Sequence, residues 1–201
     1  MIRKHIKIEP ARWYMHCDRE GILVWQDLPS PNLPSGYEDY AKKNFEDESK
    51  RIITAFRNHP SIIQWVVFNE GCSQFDTERM TQIVISEVGQ SLVCCASGWV
   101  DAPIGDIKDS HSYPNPSCPL DETRAGVCGE YGGITLKVQG HIWPGGDFQY
   151  TTVETGKDFT VLFNNLADKV IDHYYYGLNA AVYTQLSDVE IEKNGIYTYD
   201  R

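Results

Sequence analysis

The chain has 201 residues, with 18 Lys or Arg against 28 Asp or Glu and a formal net charge of -10. That length suits one domain with a substantial hydrophobic core. A negative field of this size repels phosphate backbones, which argues against a nucleic-acid partner and favours a neutral small substrate. No apolar run is long enough to cross a bilayer, so no membrane partner is predicted.

The amino-terminal segment gives no sign of secretion. Residues 1 to 20 carry charges at Arg3, Lys4, Lys7 and Glu9, which breaks the apolar region that a signal peptide needs. We therefore expect a soluble chain without a signal peptide, and the compartment stays open.

The cysteines and aromatic residues are interpreted as packing residues. Six cysteines form neither a CxxC pair nor a regular framework: Cys17, Cys72, Cys94, Cys95, Cys118 and Cys128. They are predicted to be buried free thiols. Flat rings can stack on sugars, but for most of the Trp, Tyr and Phe side chains we predict core packing.

Short apolar runs alternate with longer amphipathic segments, which indicates a β/α alternation and a parallel sheet. The seven strand-like segments are Met1–Ile2 running on to His5, Gly21–Trp25, Ile62–Phe68, Leu92–Ala96, Asp106–His111, Gly126–Cys128 and Ala180–Tyr183. The segments between them are helices at Glu9–Gly21, about Tyr37–Phe56, Asp76–Val88 (capped by Asp76) and Phe159–Tyr174, a loop at Pro29–Ser35 and an insertion at Gly140–Gly156. A closed (β/α)8 barrel needs eight strands and usually about 250 residues. The prediction is therefore an α/β chain forming a single, incomplete barrel over residues 1–201.

Polar side chains follow the predicted strands where each strand ends. They are Arg3, His5, Asp27, Asn69, Glu70, Trp99, His111, Tyr113, Glu130 and Gln185. In a (β/α)8 barrel the carboxyl ends of the strands form the active face. One apolar-to-polar switch is weak evidence, but seven in register predict a site.

Glu70 and Glu130 stand out among these residues. Cleavage of a glycosidic bond uses one carboxyl to protonate the leaving oxygen and another to meet the cationic sugar carbon. If the two carboxyls lie about 5 Å apart, the outcome is retention through a covalent glycosyl-enzyme. Taken alone, either Glu is more often a solvated turn residue; the flanking Asn69 and Gly129 and the matched positions favour the catalytic reading.

At these residues the sequence resembles glycoside hydrolase family 2, the β-galactosidase, β-mannosidase and β-glucuronidase family. The matching segments are Ile2–His5, Arg57–Ile62, Asn69–Glu70, Gly129–Gly132, Tyr183–Glu190 and Gly195–Arg201. The resemblance implies a TIM-barrel catalytic domain with strands 2 to 8 present and strand 1 and the last helix missing. Relatives also carry a sugar-binding β-sandwich and an immunoglobulin-like domain before the barrel.

The same resemblance implies roles for individual residues. Glu70 would be the acid/base and Glu130 the nucleophile. Asn69 would form a hydrogen bond with the sugar 2-hydroxyl, and Tyr113 or His111 would orient Glu130. The remaining residues would line the sugar pocket: Arg3, His5, Asp27, Trp99 and Gln185. For His5 and His111 a satisfied buried imidazole, and for Trp99 simple packing, stay open as alternatives.

Three departures from the family pattern bear on the substrate. Cys72-Ser73 stands where many relatives have Trp-Gly. Glu192–Asn194 replaces the Asn-x-Lys with which the glucuronidase branch holds a sugar carboxylate, so a glucuronide is disfavoured. Gln26–Pro29 replaces the Glu-x-His that holds Mg²⁺ in some β-galactosidases, so no metal and no other cofactor is predicted.

The resulting prediction is a retaining hydrolase of terminal β-linked sugars, with a galactoside first and a mannoside second. The competing hypothesis is a truncated and inactive fragment, or a sugar-binding remnant. Missing a strand would leave two sheet edges unpaired, which could cause aggregation or self-association with another copy of the chain.

Overall fold

The computed structural model describes residues 1–30 and 38–201. The predicted loop at Pro29–Ser35 lies outside these residues from position 31 onward, as does Tyr37. The described residues divide into two compact units, Met1–Asp109 with Glu122–Arg124, and Ser110–Asp121 with Ala125–Arg201. The expectation of a single domain stays a prediction.

The first unit is built on a parallel sheet with helices between its strands. In chain order its elements are β1 (Ile2–Lys4), α1 (Ala11–Glu20), β2 (Val24–Asp27), α2 (Glu38–Phe56), β3 (Ile62–Asn69), α3 (Thr77–Val88) and β4 (Leu92–Ser97). The four strands are hydrogen-bonded in the order β1-β2-β3-β4 and all three pairs are parallel. Because parallel neighbours share one direction, the carboxyl ends of these strands lie at the same edge of the sheet.

A hydrophobic core covers this sheet. β3 is an almost continuous apolar run, as expected for a strand that is covered on both faces. Trp65 and Phe68 from this strand are buried together with Tyr14 of α1, Ile53 of α2 and Met80 of α3. Burial on this scale fixes the strand that carries Asn69 at its carboxyl end.

The sequence correctly predicted how α1 ends but not how α3 is capped. α1 stops at Gly21, whose φ of 67° is left-handed and whose N–H donates to the carbonyl of Cys17, as the glycine signal predicts. Asp76 does occupy the N-cap position of α3, but its side chain makes no capping hydrogen bond. The predicted side-chain cap is therefore wrong; the Asp76 carboxylate lies 3.4 Å from the Arg79 guanidinium instead.

The second unit contains the remaining strands. β5 (Ile107–Ser112) runs from the first unit into the second, and the elements after it are β6 (Ala125–Gly132), β7 (Ile134–Thr135), β8 (Thr151–Thr152), α4 (Gly156–Tyr175) and β9 (Ala180–Thr184). The larger sheet has the order β5-β6-β9, with β6 and β9 parallel, and β7 pairs with β8. Leu166 of α4 packs in a core with Tyr131, Ile134 and Leu178.

These elements confirm the predicted α/β class with parallel strands. All seven predicted strands are present, and the two-residue strands β7 and β8 were not predicted. Among residues 1–30 and 38–201, no helix is both long and apolar enough to span a bilayer.

The cysteine prediction is correct only in part. No cysteine in the described ranges forms a disulfide. Four of the thiols are buried, whereas Cys72 and Cys118 are only half-buried. Both lie in segments that follow strands, where fewer side chains are available to cover them.

Candidate active site

The side chains that can carry chemistry fall into two groups, one in each compact unit. In the first unit, Arg3 at the end of β1 meets Asp27 at the end of β2. The Arg3 Nη2 donates to Asp27 Oδ2 at 2.7 Å, and its Nε lies 3.1 Å from Oδ1. Both side chains are almost fully buried, with 2% and 1% exposed. Asp27 was predicted to line the sugar pocket; here both of its oxygens accept from Arg3, so it can act on a substrate through Arg3.

Arg3 also orients Asn69. Its Nη2 donates to Asn69 Oδ1 at 2.8 Å, and Asn69 is buried. Because the amide oxygen accepts from Arg3, the amide nitrogen is the end that can donate to a sugar hydroxyl. The structure therefore brings together three of the residues that the sequence singled out.

Glu70 follows directly after β3 in an uncommon backbone conformation. Its φ is 53°, in the left-handed region that side chains other than glycine seldom adopt, and Gly71 continues the turn with a φ of 74°. The Glu70 N–H donates to the carbonyl of Ser97 at 2.8 Å. Such conformations concentrate at functional positions, where the surrounding structure holds them in place.

A second buried carboxylate in this unit was not predicted. Asp109 of β5 is buried and accepts a hydrogen bond from the Ser97 hydroxyl at the end of β4. The search for polar residues at the ends of the predicted strands singled out the later residues Trp99 and His111, but not Ser97 or Asp109. The alternating burial along β5, in which Ile107, Asp109 and His111 are the buried positions, is the signal that marks Asp109 as inward-facing.

In the second unit the central group is Glu130, near the carboxyl end of β6. The Tyr113 hydroxyl donates to Glu130 Oε2 at 2.5 Å, and His111 Nδ1 lies 3.5 Å from the same oxygen. The His111 side chain is fully buried and that of Glu130 is 13% exposed. Three residues predicted to act together are thus in contact.

Tyr113 is held as a proton donor by its surroundings. Burial raises its pKa far above the ordinary value, and the neighbouring Glu130 charge raises it further. The raised pKa favours the protonated phenol, which can donate a hydrogen bond. Tyr113 Oη lies 2.9 Å from the Thr184 hydroxyl at the end of β9, a contact that the sequence did not indicate.

Gln185, directly after β9, is joined to the segment that follows. Its Nε2 donates to Asn194 Oδ1 at 2.6 Å, and Asn194 is fully buried. The next residue back, Lys193, is 4% exposed and donates to Asp147 at 2.5 Å. Hydrogen bonds from Lys137 and Lys193 lower the pKa of Asp147, so its carboxylate is ionised and shared between two ammonium groups.

The other predicted pocket residues of the first unit are exposed. His5 lies just after β1, and Trp99 has 59% of its surface accessible. Their roles, like those of the remaining site residues, stay predictions. The absence of a bound metal also stays a prediction; the Asp27 oxygens are taken up by Arg3 and are not arranged as cation ligands.

Comparison with known proteins identifies the relatives of this arrangement. The model of the TIM barrel domain of glycosyl hydrolases family 2 matches residues 9–114. A protein of Formosa agariphila assigned as a beta-glucuronidase is 34% identical over 83 residues, which are 39% of this chain and 8% of that protein. Beta-mannosidase B of Emericella nidulans is 32% identical over 75 residues, which are 36% of this chain and 9% of that protein.

Solved structures extend the comparison to the whole chain. The crystal structure of Ruminococcus gnavus beta-glucuronidase superposes with a TM-score of 0.73 at 16% identity, covering 99% of this chain and 41% of that one. A likeness at this identity shows the fold. The chain spans about two fifths of that enzyme, and its matches to the two curated relatives cover less than a tenth of their lengths.

Proposed function

The chain belongs to the glycosyl hydrolases of family 2, through their TIM barrel domain, and from that membership we propose that it removes terminal β-linked sugars from glycosides with retention of configuration. In this proposal Glu70 is the general acid/base and Glu130 the nucleophile. The substrate is a carbohydrate, and no cofactor takes part.

The observation that carries the proposal is the environment of Glu130. A nucleophilic carboxylate has to be held in one orientation and kept ionised while it attacks the anomeric carbon. The Tyr113 phenol donates to Glu130 Oε2 at 2.5 Å and so holds the carboxylate in one orientation. His111 Nδ1 lies 3.5 Å from the same Glu130 oxygen and is a second neighbour that restricts its position.

The first unit supports the other half of the reaction. Arg3 turns the Asn69 amide so that its nitrogen can donate to a substrate hydroxyl. Glu70, the adjacent residue, would give its proton to the leaving oxygen while Glu130 forms an ester with the sugar carbon. Glu70 would then take a proton from water as that water displaces Glu130.

For the sugar itself we propose a galactoside, with a mannoside as the second choice. A uronic acid would need a cation to meet its carboxylate. Lys193 is the lysine in the stretch that corresponds to the glucuronidase Asn-x-Lys, and its ammonium is already neutralised by Asp147 at 2.5 Å. That pairing favours a neutral sugar over a charged one.

The test compares 4-nitrophenyl β-galactoside, β-mannoside and β-glucuronide as substrates of the protein. We expect turnover of the galactoside first, and its loss in Glu130→Ala, with added azide restoring turnover and giving the α-glycosyl azide. In Glu70→Ala azide should instead give the β-glycosyl azide, because the covalent intermediate still forms. Glu154→Ala, a change at an exposed carboxylate, is the matched control.

Three results would count against the proposal. Unchanged turnover in Glu130→Ala would show that Glu130 is not the nucleophile. A first product with inverted configuration, read by proton NMR, would exclude double displacement, since inverting enzymes use a wider carboxylate spacing of about 6.5–9.5 Å. Binding of the sugars without any turnover would favour the competing hypothesis of an inactive, sugar-binding chain.

A further inference from the structure

Three aromatic rings form a continuous surface that starts at Glu130. We call Tyr113, Tyr150 and Phe148 the aromatic wall. The Tyr113 and Tyr150 rings are stacked with centroids 3.7 Å apart and planes 6° from parallel. Phe148 meets Tyr150 edge-on at 5.0 Å and 89°. Core packing was predicted for most aromatic residues, yet 41% of Tyr150 and 42% of Phe148 are exposed.

The backbone below the wall is shaped to receive the rings. The pairing Ile134↔Thr151 between β7 and β8 brings their preceding residues, Gly133 and Tyr150, side by side. A Cβ on Gly133 would lie 2.5 Å from the Tyr150 ring and 3.0 Å from that of Tyr113. A glycine is therefore required for the two rings to approach the chain as closely as they do.

The outer end of the wall is also held in place. The Phe148 N–H donates to the carbonyl of Ile191 at 3.0 Å. The preceding residue, Asp147, is bound by Lys137 and Lys193, each at 2.5 Å. These contacts hold the backbone at Phe148, and the edge-on contact with Tyr150 orients its ring. Such pre-organisation lowers the entropy that is lost when a ligand binds.

From these contacts we infer that Phe148 and Tyr150 form a subsite for a sugar ring on the leaving-group side of the substrate. The inference rests on the proposed function. An enzyme that removes a terminal sugar takes that sugar innermost, and Tyr113 joins the inner end of the wall to Glu130. The part of the substrate that extends outward over Tyr150 and Phe148 is then the leaving group.

The chemistry of the wall favours a pyranose as that group. Two rings at right angles offer one flat apolar face and one apolar edge, which suit the C–H face of a sugar ring. Exposed apolar surface of this kind marks binding sites on soluble proteins. By analogy with aromatic pairs, the contact should contribute about 3- to 10-fold in affinity.

The experiment measures binding without turnover, by titration calorimetry on the intact protein. It compares methyl thio-β-galactoside with a thio-linked β-galactosyl disaccharide, and the corresponding mannosyl pair. We expect the disaccharide to bind about 3- to 10-fold more tightly than the methyl glycoside. Phe148→Ala should bring the two dissociation constants together and leave that of the methyl glycoside unchanged.

A second variant and a control separate this effect from misfolding. Phe148→Leu keeps apolar packing on Tyr150 but removes the flat ring, so it should also lose the preference for the disaccharide. Tyr175→Ala, which removes an even more exposed ring on α4, should keep that preference. Equal binding of both ligands by the unmodified protein, no binding of either, or an equal loss of both in Phe148→Ala would overturn the inference. A disaccharide preference without hydrolysis would keep the subsite and reject the proposed activity.

Discussion

The buried ion pair between Arg3 and Asp27 gives the most direct test of the reasoning about the first unit. β1 has only three residues, and Arg3 ties its end to β2 through contacts of 2.7 and 3.1 Å. Replacing Asp27 by Leu would leave the guanidinium in a site where only 2% of its side chain reaches solvent. An uncompensated buried charge of this kind costs about 3–5 kcal/mol.

The effects of the two partners should not add. Arg3→Leu also leaves the Asp27 carboxylate unpaired, at about 3–5 kcal/mol, and removes the donor to Asn69, at about 1–3 kcal/mol. In the double variant no buried charge remains, so we expect a loss of only about 1–3 kcal/mol from Asn69. The Asn69 contribution cancels in the cycle, so the coupling between the two positions is about 6–10 kcal/mol, twice the cost of one unpaired buried charge.

Urea unfolding of the four proteins, followed by circular dichroism, measures this coupling. Asp27→Leu should also lower the Tm by roughly 6–20 °C, at about 2–4 °C per kcal/mol for a chain of this size, and Arg3→Leu should lower it further. The explanation would be refuted by single effects that sum to the double effect within about 0.5 kcal/mol, because the charges would then be independent.

Three further predictions concern other contacts. Gly133→Ala should lower the free energy of unfolding by about 2–4 kcal/mol, since the new Cβ overlaps the Tyr150 ring at a φ of 62°. Tyr113→Phe removes a donor to the proposed nucleophile and should lower kcat/KM roughly 10- to 160-fold, equivalent to about 1.5–3 kcal/mol. Asp18→Asn should cost about 1–2 kcal/mol at neutral pH and less in acid, because burial opposes ionisation of Asp18 but hydrogen bonds from Ser61 and His59 outweigh it and lower its pKa.

The sign of the last effect follows from linkage. Because the folded pKa of Asp18 lies below its ordinary value of 3.8, its contribution is fully present above that value and is lost as the pH falls through the folded pKa. Stability of the Asn variant measured from pH 7 to 2 should therefore converge with that of the parent. A constant gap over that range would contradict this account.

Matched controls exist for the other two changes. Gly140→Ala has a φ of 89° but nothing within 4 Å of the new Cβ, so it should show only the backbone part of the Gly133 effect. Tyr183→Phe removes a hydroxyl whose pKa of about 12 reflects burial rather than a carboxylate, and it should leave kcat/KM nearly unchanged. Equal effects of Tyr113→Phe and Tyr183→Phe would contradict the assigned hydrogen bond.

The sequence predicted the strands well because their signal is local. β3 is an almost continuous apolar run interrupted by Gln64, and a run of that kind indicates a strand that is covered on both faces. β7 and β8 were missed because two residues each carry no periodicity. Their pairing depends on residues 134 and 151 meeting across an insertion.

Site residues that lie at the end of a predicted strand could be predicted from the sequence. Site residues that come from distant segments of the chain were missed. Asn69 and Glu130 could be found from the apolar-to-polar change at their own strands. Thr184 and Tyr150 touch Tyr113 from positions 71 and 37 residues further along the chain, and nothing in their neighbourhood marks them. The N-cap of α4 was missed for a different reason. Thr155 caps the helix by accepting from the Asp158 N–H, but the helix begins with Gly156, a residue that usually indicates a loop.

The ion pairs of Asp147 with Lys137 and Lys193 have a consequence for how the sequence of this protein can change during evolution. The segment from Gly140 to Gly156 is pinned by Asp147 and by the Phe148 amide, and neither attachment belongs to the strands that carry Glu70 and Glu130. Exposed side chains elsewhere in this segment can therefore be exchanged while the proposed catalytic residues keep their places, as is common for loops on a rigid scaffold. If the proposed function holds, a few substitutions in this segment would change the preference for the leaving group without any change at Glu70 or Glu130.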